Sequence, residues 1–487
     1  MELVIELNEH ESASKNINAL AHPLTALKKF IMPAPTPVDM NKREINRRIF
    51  TIAWPSAIEL LLTSLASMVD MMMVGQLGAW AISSIGLTTQ PKFVLLAIFL
   101  ALNSGATAMV ARFRGADDQE SANAVVRQSI LITAALSLVI AVIGYFTSEW
   151  MVSFMGAQED TLLPATQYLQ VQMMGFPFMA LTMVATAVLR GVGNTRVSMI
   201  YNLVANVSNV LFNYLLIFGN WGFPALGVAG ASIATVMGQV LAFFMAAIAL
   251  MRGKHYIRIR RTDSFKPDFS MIKRIAKIGG PAMLEQAVMR IGMMLYVRTV
   301  ASLGTVAYAS HNVVMSIMNL SFMNGQAFSI VATTLIGQSL GRQRPDEAWV
   351  YARYTRRMGM IVSIIIATVF LIFGKQIIGL YTAGDAEAEE IIRMGAEVML
   401  IVAALQPLQS SQMILNGALR GAGDTRSTAM VMFVGVMIIR PLAAHAFVNW
   451  LHWGLVGAWC GMALDQIVRS AFSFIRFQMG KWVHIRV

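Results

Sequence analysis

LRGVGNTR, residues 189–196, returns as LRGAGDTR at 419–426, 230 positions further on, and reading the two stretches as one element met twice decides the fold. The echo spreads outward from them. Pro55 and Glu59 recur as Pro281 and Glu285, Leu77 and Gly78 as Leu303 and Gly304, and Gly115 as Gly341, all 226 apart. Gly227, Gly230 and Ala231 recur as Gly454, Gly457 and Ala458, 227 apart. A drift of a few residues is what changes in loop length produce, so the chain is one unit present twice and not a solenoid array.

Composition places that unit in a bilayer. The 487 residues are 56% hydrophobic and 13% charged, with a mean hydropathy of +0.60, well outside the range of soluble domains. A helix needs about 20 apolar residues to cross hydrocarbon. Twelve stretches qualify, near 50–74, 92–111, 126–147, 166–189, 197–218, 227–251, 275–302, 311–338, 357–381, 394–416, 428–449 and 454–476. The first begins only near residue 49, behind a polar tail, which argues against a secretory signal peptide. The expected fold is an all-α polytopic membrane protein of twelve transmembrane helices in two six-helix repeats. Six is even, so both repeats enter the membrane in the same sense and a pseudo-twofold axis runs along the membrane normal. The expected domains are a cytoplasmic arm at 1–48, an N-lobe at 49–252, a linker at 253–273 and a C-lobe at 274–480.

Lys and Arg set the orientation. With the N-terminus inside, 31 of the 38 basic residues fall in the tail, 112–127, 190–196, 252–277, 341–357, 420–426 and the C-terminus. The opposite loops carry acids instead, among them Glu149, Glu159, Asp160, Asp385, Glu387, Glu389 and Glu390. Both termini are thus expected in the cytoplasm of a bacterial-type plasma membrane. The formal charge of +12 is accounted for by topology and calls for no nucleic acid. The linker, RGKHYIRIRRTDSFKPDF at 252–269, is the most basic stretch, as befits the longest inner loop, and could also grip lipid headgroups. The prolines at 33, 35 and 37 precede a short basic amphipathic stretch at 41–48.

Enzyme chemistry finds little support. The seven histidines do not cluster, the single cysteine, Cys460, excludes an internal disulfide, and there is no metal-ligand spacing or phosphate-binding glycine loop. Duplicated six-helix units with a cavity between them are a common transporter plan.

With the paired LRG-x-G-[ND]-TR loops on the page, together with VDMMMVGQLG at 69–78, NVLFNYLLIFG at 209–219 and GVAGASIAT at 227–235, the chain resembles the multidrug and toxic compound extrusion (MATE) family. The resemblance covers about residues 45–480. It implies export of lipophilic, often cationic compounds in exchange for H+ or Na+ by rocking of two six-helix lobes. A monomer suffices for that mechanism, no cofactor is expected, and the partners are small organic substrates and membrane lipids. The rival is a flippase or exporter of lipid-linked or anionic metabolites.

Ionisable groups inside the spans are where the chemistry is sought, since a charge at the bilayer centre costs on the order of 3 kcal/mol or more. Asp70 lies about two-thirds along helix one among apolar residues, and its position resembles the acid that the family keeps there for cation or proton coupling. Asn202, Asn206, Asn209 and Asn213, spaced 4, 3 and 4, form one polar stripe on helix five. The resemblance places Asn209 and Asn213, with Thr235 of helix six, around Asp70. One family branch has a second acid at position 213, so the Asn there removes one carboxylate and weakens two-acid coordination; H+ is expected over Na+, with Na+ near Asp70 as the only metal considered. Glu59 and Glu285, four residues after what reads as a helix-opening proline, are matched candidates in the two lobes. The C-lobe departs from the NorM-like branch at Met289, Leu405 and Gln409. Asp465 and Arg469 can pair along helix twelve, while Arg440, Arg290 and Arg298 are expected to seek acids such as Glu285. In the repeated loops, Arg190, Arg196, Arg420 and Arg426 are expected on helix-end carbonyls or phosphate headgroups, with Asn194 and Asp424 as helix caps. Met68, Met71–Met73, Met289, Met293 and Met294 are candidates for a soft cavity lining.

Overall fold

The computed structural model describes residues 40–252, 256–260, 262–381 and 388–485. The proline-bearing arm and the acids Asp385 and Glu387 lie outside them. Twelve long helices follow in order: α1 Lys42–Gly75, α2 Ala79–Gly115, α3 Gln119–Phe154, α4 Glu159–Gly191, α5 Thr195–Phe218, α6 Gly227–Met251, α7 Phe269–Ala301, α8 Thr305–Gly341, α9 Pro345–Tyr381 and α10 Ala388–Gly421. The last two are α11, Thr425–Trp450, and α12, Gly454–Gln478. Among the described residues there is no strand.

Nine of these helices are apolar enough to cross a bilayer on length and composition alone. The other three, α7, α8 and α12, carry Arg290 and Arg298, His311 and Asn324, and Asp465 and Arg469. Of these, His311, Asp465 and Arg469 are buried within the protein, as charge and polarity at membrane depth require, whereas Arg290 and Arg298 are exposed. Most helices overrun the apolar stretch that announced them. Hydropathy marks the hydrocarbon layer, whereas the hydrogen-bond ladder continues into the interface. The basic stretch at 41–48 is therefore not separate: Asn41 caps α1, accepting from Arg43 N at 2.9 Å. For the same reason Pro55 and Pro281 do not open helices but sit inside α1 and α7.

The twofold repeat is visible atom by atom. Gly193 and Gly423 take φ of +86° and +88°, where a side chain would be strained. They end α4 and α10 with the same pair of bonds. Gly193 N and Asn194 N donate to the carbonyls of Arg190 and Leu189 at 2.9 Å each, and Gly423 N and Asp424 N donate to those of Arg420 and Leu419 at 2.9 and 2.8 Å. Thr107 on α2 donates to Ala187 O at 3.1 Å, and its counterpart Thr333 on α8 donates to Gly417 O at 2.9 Å.

The repeats also exchange their beginnings. Ile45, Ile49 and Ile52 of α1 are buried in the second repeat's core with Val331, Leu335 and Tyr351. Their counterparts Met271, Ile275 and Ile278 of α7 are buried in the first repeat's core with Val110, Val125 and Leu189. This packing lies on the face where α1 begins, α12 ends and most of the described basic side chains gather, hereafter the basic face. There the halves approach backbone to backbone: a Cβ on Gly115 would overlap the main chain at Gln338, and one on Gly341 would overlap that at Arg112. Thr334 Oγ1 donates to Arg190 O at 2.8 Å and Gln338 Nε2 to Gly191 O at 3.1 Å across the same seam.

The second repeat breaks the symmetry at α11. Its helix widens into π turns at Phe433–Ile439 and Ala446–Trp450, on either side of Arg440. Arg440 does not reach Glu285. Its Nε and Nη2 donate to Asp465 Oδ2 at 3.0 and 2.7 Å. Arg469 Nε and Nη2 reach Oδ1 and Oδ2 of the same carboxylate at 2.7 and 2.8 Å. Asp465 is fully buried, and Gly435 leaves the space that Arg469 occupies. The sequence paired Asp465 with Arg469 correctly and missed the second guanidinium. Asp465→Asn strands two buried cations and is expected to lower stability by about 3–5 kcal/mol, read as a fall in the melting temperature of detergent-purified protein.

Candidate functional site

A cavity of about 630 Å³ lies between the halves, lined mainly by α1, α2, α4, α5 and α6, with Gln326, Ser329, Ile330 and Thr333 of α8 and Arg420 at the end of α10 closing it. Helical spacing turns one face of each helix into it. On α5 the stripe Asn202, Asn206, Asn209 and Asn213 meets α1 along its length, each asparagine finding a partner at the same height.

At the far end of the stripe stands Asp70. Asn213 Nδ2 donates to Asp70 Oδ1 at 2.5 Å. The Asn209 amide is oriented by its surroundings: with its NH2 toward α1 it donates to both Asp70 oxygens at 2.8 and 3.1 Å, and its oxygen accepts from Thr235 N at 3.2 Å. Thr235 Oγ1 is tied back to Ala231 O at 2.9 Å. One step nearer the basic face, Asn206 Nδ2 reaches Thr63 Oγ1 at 3.3 Å. At the near end, Asn202 Nδ2 donates to Glu59 at 2.6 Å.

Glu59 and Glu285 have matched surroundings. Arg190 Nη2 donates to Glu59 at 2.9 Å and Ser198 Oγ at 3.2 Å. Arg420 forms the equivalent ion pair with Glu285, and Thr428 Oγ1 donates to it at 3.1 Å. Arg190 and Arg420 of the repeated loops are therefore paired with acids of α1 and α7, whereas Arg426 is exposed. Arg196 lies over the Trp54 ring, 5.6 Å from its centroid. Arg290 lies over Phe93 at 4.4 Å, and Asp424 accepts from Ser427 Oγ and Arg476 Nε at 2.7 and 2.8 Å. Glu285 does not line the cavity; its partner Arg420 does. Glu285→Gln is expected to cost about 3 kcal/mol by leaving Arg420 without its counter-charge. Thermal unfolding beside Glu59→Gln checks it, with matched losses expected from matched pairs.

The structure thus brings Asp70, Asn209, Asn213 and Thr235 together, sets Asn206 and Glu59 along the same wall, and leaves Glu285 behind Arg420. The methionines of the lining are Met179 and Met183; Met68, Met71, Met72 and Met294 are on the molecule's exterior. One ionisable lining residue escaped the sequence reading altogether. Lys92 of α2 projects into the cavity, its Nζ donating to Gln172 Oε1 of α4 at 2.9 Å. Hydropathy started the second span at 92, which put this lysine at a membrane edge, but α2 starts at Ala79 and carries it well inside.

Comparison with known proteins agrees with this architecture. The MatE family model matches residues 55–215 and 281–445, one segment in each repeat. A probable multidrug resistance protein NorM from Thermotoga maritima is 27% identical over 90% of this chain and 93% of its own. The multidrug resistance protein MdtK of Yersinia pestis is 26% identical over 81% and 85%. Among solved structures, a MOP superfamily transporter from Pyrococcus furiosus superposes with a TM-score of 0.83 at 21% identity, over 89% of this chain and 95% of that one. An outward-facing multidrug resistance MATE family transporter gives 0.83 at 20% identity, over 91% and 97%. Those two likenesses speak for the fold. Since the two matched segments coincide with the two repeats around the cavity, the chain belongs to the MatE family of multi-pass membrane transporters.

Proposed function

We propose that this transporter exports lipophilic organic cations in exchange for protons, with Asp70 as the coupling group. One observation carries the reading. Asp70 is the one carboxylate lining the cavity, among the described residues, that is not ion-paired to an arginine; its hydrogen bonds come from neutral amides. A carboxylate so held can be neutralised by a proton without breaking a salt bridge. Two amide NH2 groups turned onto it suit H+ better than Na+, which wants several oxygens directed at one point.

The basic face is assigned to the cytoplasm by its Lys and Arg. With the halves locked together there, this assignment makes the state an outward-facing one. In the proposed cycle a proton taken up at Asp70 displaces the cation outward, the lobes rock, and loss of the proton inside readies the site for new cargo. A monomer in the bacterial inner membrane carries this out alone. Lys92, Arg190 and Arg420 in the same wall favour a second reading, export of an anionic or lipid-linked compound.

Reconstituted liposomes test both. A fluorescent organic cation should move when a pH gradient is imposed and stay still under a Na+ gradient alone. Movement under Na+ alone overturns proton coupling. No movement under either removes the cation reading and leaves the anionic one.

A further inference from the structure

Lys92 has no place in the cycle as stated, yet it is an ammonium inside the membrane-spanning part of α2, at the same cavity wall as Asp70. Its own partner is a neutral amide, Gln172, which is itself anchored to α6 by donating to Ser232 Oγ at 3.3 Å and Ser232 O at 3.4 Å. The lysine is thereby held by α4 and α6 in the cavity that Asp70 also lines. The other ionisable groups of the wall are accounted for: Glu59 pairs with Arg190, and Arg420 with Glu285. Tyr168 of α4 is the further titratable side chain facing Asp70. The charges of the cavity and their direct partners therefore cancel, three acids against three bases, and Lys92 is the member that balances Asp70.

A second feature points the same way. Asn213 Oδ1 is buried beside Asp70 with no hydrogen-bond partner among the described residues. Asp70 and this oxygen form a set of acceptors that would gather positive charge. The positive charge such a set would gather is already supplied by the protein.

We propose that Lys92 is a tethered cation that supplies, within the cavity, the positive charge an inorganic ion would otherwise bring to Asp70, and so excludes Na+ from the site. This deepens the proton-coupled reading above and rests on it for its meaning, though not for its test. Removing the ammonium leaves Asp70 uncompensated and opens the site to Na+. Keeping the charge as a guanidinium leaves the site closed.

The experiment is equilibrium binding of radioactive 22Na+ to the purified full-length protein in detergent, by scintillation proximity, with no organic substrate present. Wild type and Lys92→Arg should show no saturable binding. Lys92→Met and Lys92→Gln, each first shown to be monodisperse with a cooperative melt, should bind 22Na+ at least about tenfold more tightly, the factor that each ~1.4 kcal/mol of relieved repulsion gives. Adding Asp70→Asn to Lys92→Met should abolish the gain. Saturable binding by wild type overturns the proposal, as does a folded neutral variant that gains none, or a gain that survives Asp70→Asn. A failed liposome assay leaves this result readable, and a negative Na+ result leaves the drug reading standing.

Discussion

Asp70→Asn is expected to reach the membrane folded and to bind organic cations, yet to have lost the response of that binding to pH. The sign follows from competition for one carboxylate. In the wild type, lowering the pH protonates Asp70, removes its negative charge and leaves the cavity with the excess positive charge of Lys92, so cation affinity falls as pH falls. The asparagine imitates the protonated form at every pH. Its affinity should be flat and as weak as that of the acid-side wild type. A proton–substrate coupling of about 1–3 kcal/mol corresponds to roughly 5- to 150-fold in affinity, and pH-gradient-driven uptake in liposomes should drop by a comparable factor. Stability should fall less than in Glu285→Gln, because Asn213 and Asn209 can still hydrogen-bond an amide oxygen at position 70 and Lys92, not in contact with Asp70, keeps its bond to Gln172. Fluorescence titration of the cation across pH checks it. A variant that keeps the wild-type slope would move the coupling site away from α1.

Gly115→Leu should act with similar force through shape. Gly115 of α2 and Gly341 of α8 meet across the basic face with no room for a Cβ on either, and the atoms in the way are main chain. Overpacking of a close contact costs typically 1–3 kcal/mol, and the helices can escape it by letting the basic ends separate. The substitution should therefore penalise the state described here and shift the population toward the one open on this face, by roughly 5- to 150-fold for that range of energies. Spin labels at Glu120→Cys and Arg357→Cys, in a Cys460→Ser background, should report longer distances in the leucine variant by pulsed electron resonance. Unchanged distances with a lower melting temperature would mean that the seam absorbs the side chain by local distortion instead.

The fold was legible because it rests on signals that hydrocarbon enforces. Every long apolar run became a helix, and the repeated LRG loops became identical turns, since a positive φ at Gly193 and Gly423 leaves few residue types to choose from. The Asp70 cluster was legible for a related reason: asparagines at 202, 206, 209 and 213 inside an apolar helix must find partners, and helix one offered the acid. What sequence could not supply was partnering between charges remote along the chain. Arg190 and Arg420 read as loop cations because they stand at helix ends, and only the folded arrangement shows their side chains reaching across to Glu59 and Glu285. Arg440 was given to the wrong acid because the π turns of α11 rotate its side chain by an amount that no 3.6-residue pattern encodes. Lys92 was lost to a boundary: the polar Thr88, Thr89 and Gln90 beside it ended the apolar stretch there and left the lysine at its edge.

That the cavity presents a single carboxylate free of arginine also sets what the exporter can achieve. One such group carries one proton per turn of the cycle. Exchanged for a monovalent drug cation, that proton makes the turnover electroneutral, so the membrane voltage contributes nothing to the work. The steepest gradient the machine can sustain is then the proton gradient itself, about tenfold in drug for each pH unit, or ~1.4 kcal/mol. A neutral cargo would add the voltage to the driving force and a dication would have to move against it. Under the proposed cycle, the charge of the compound, more than its fit to the wall, decides how far a cell can be cleared of it.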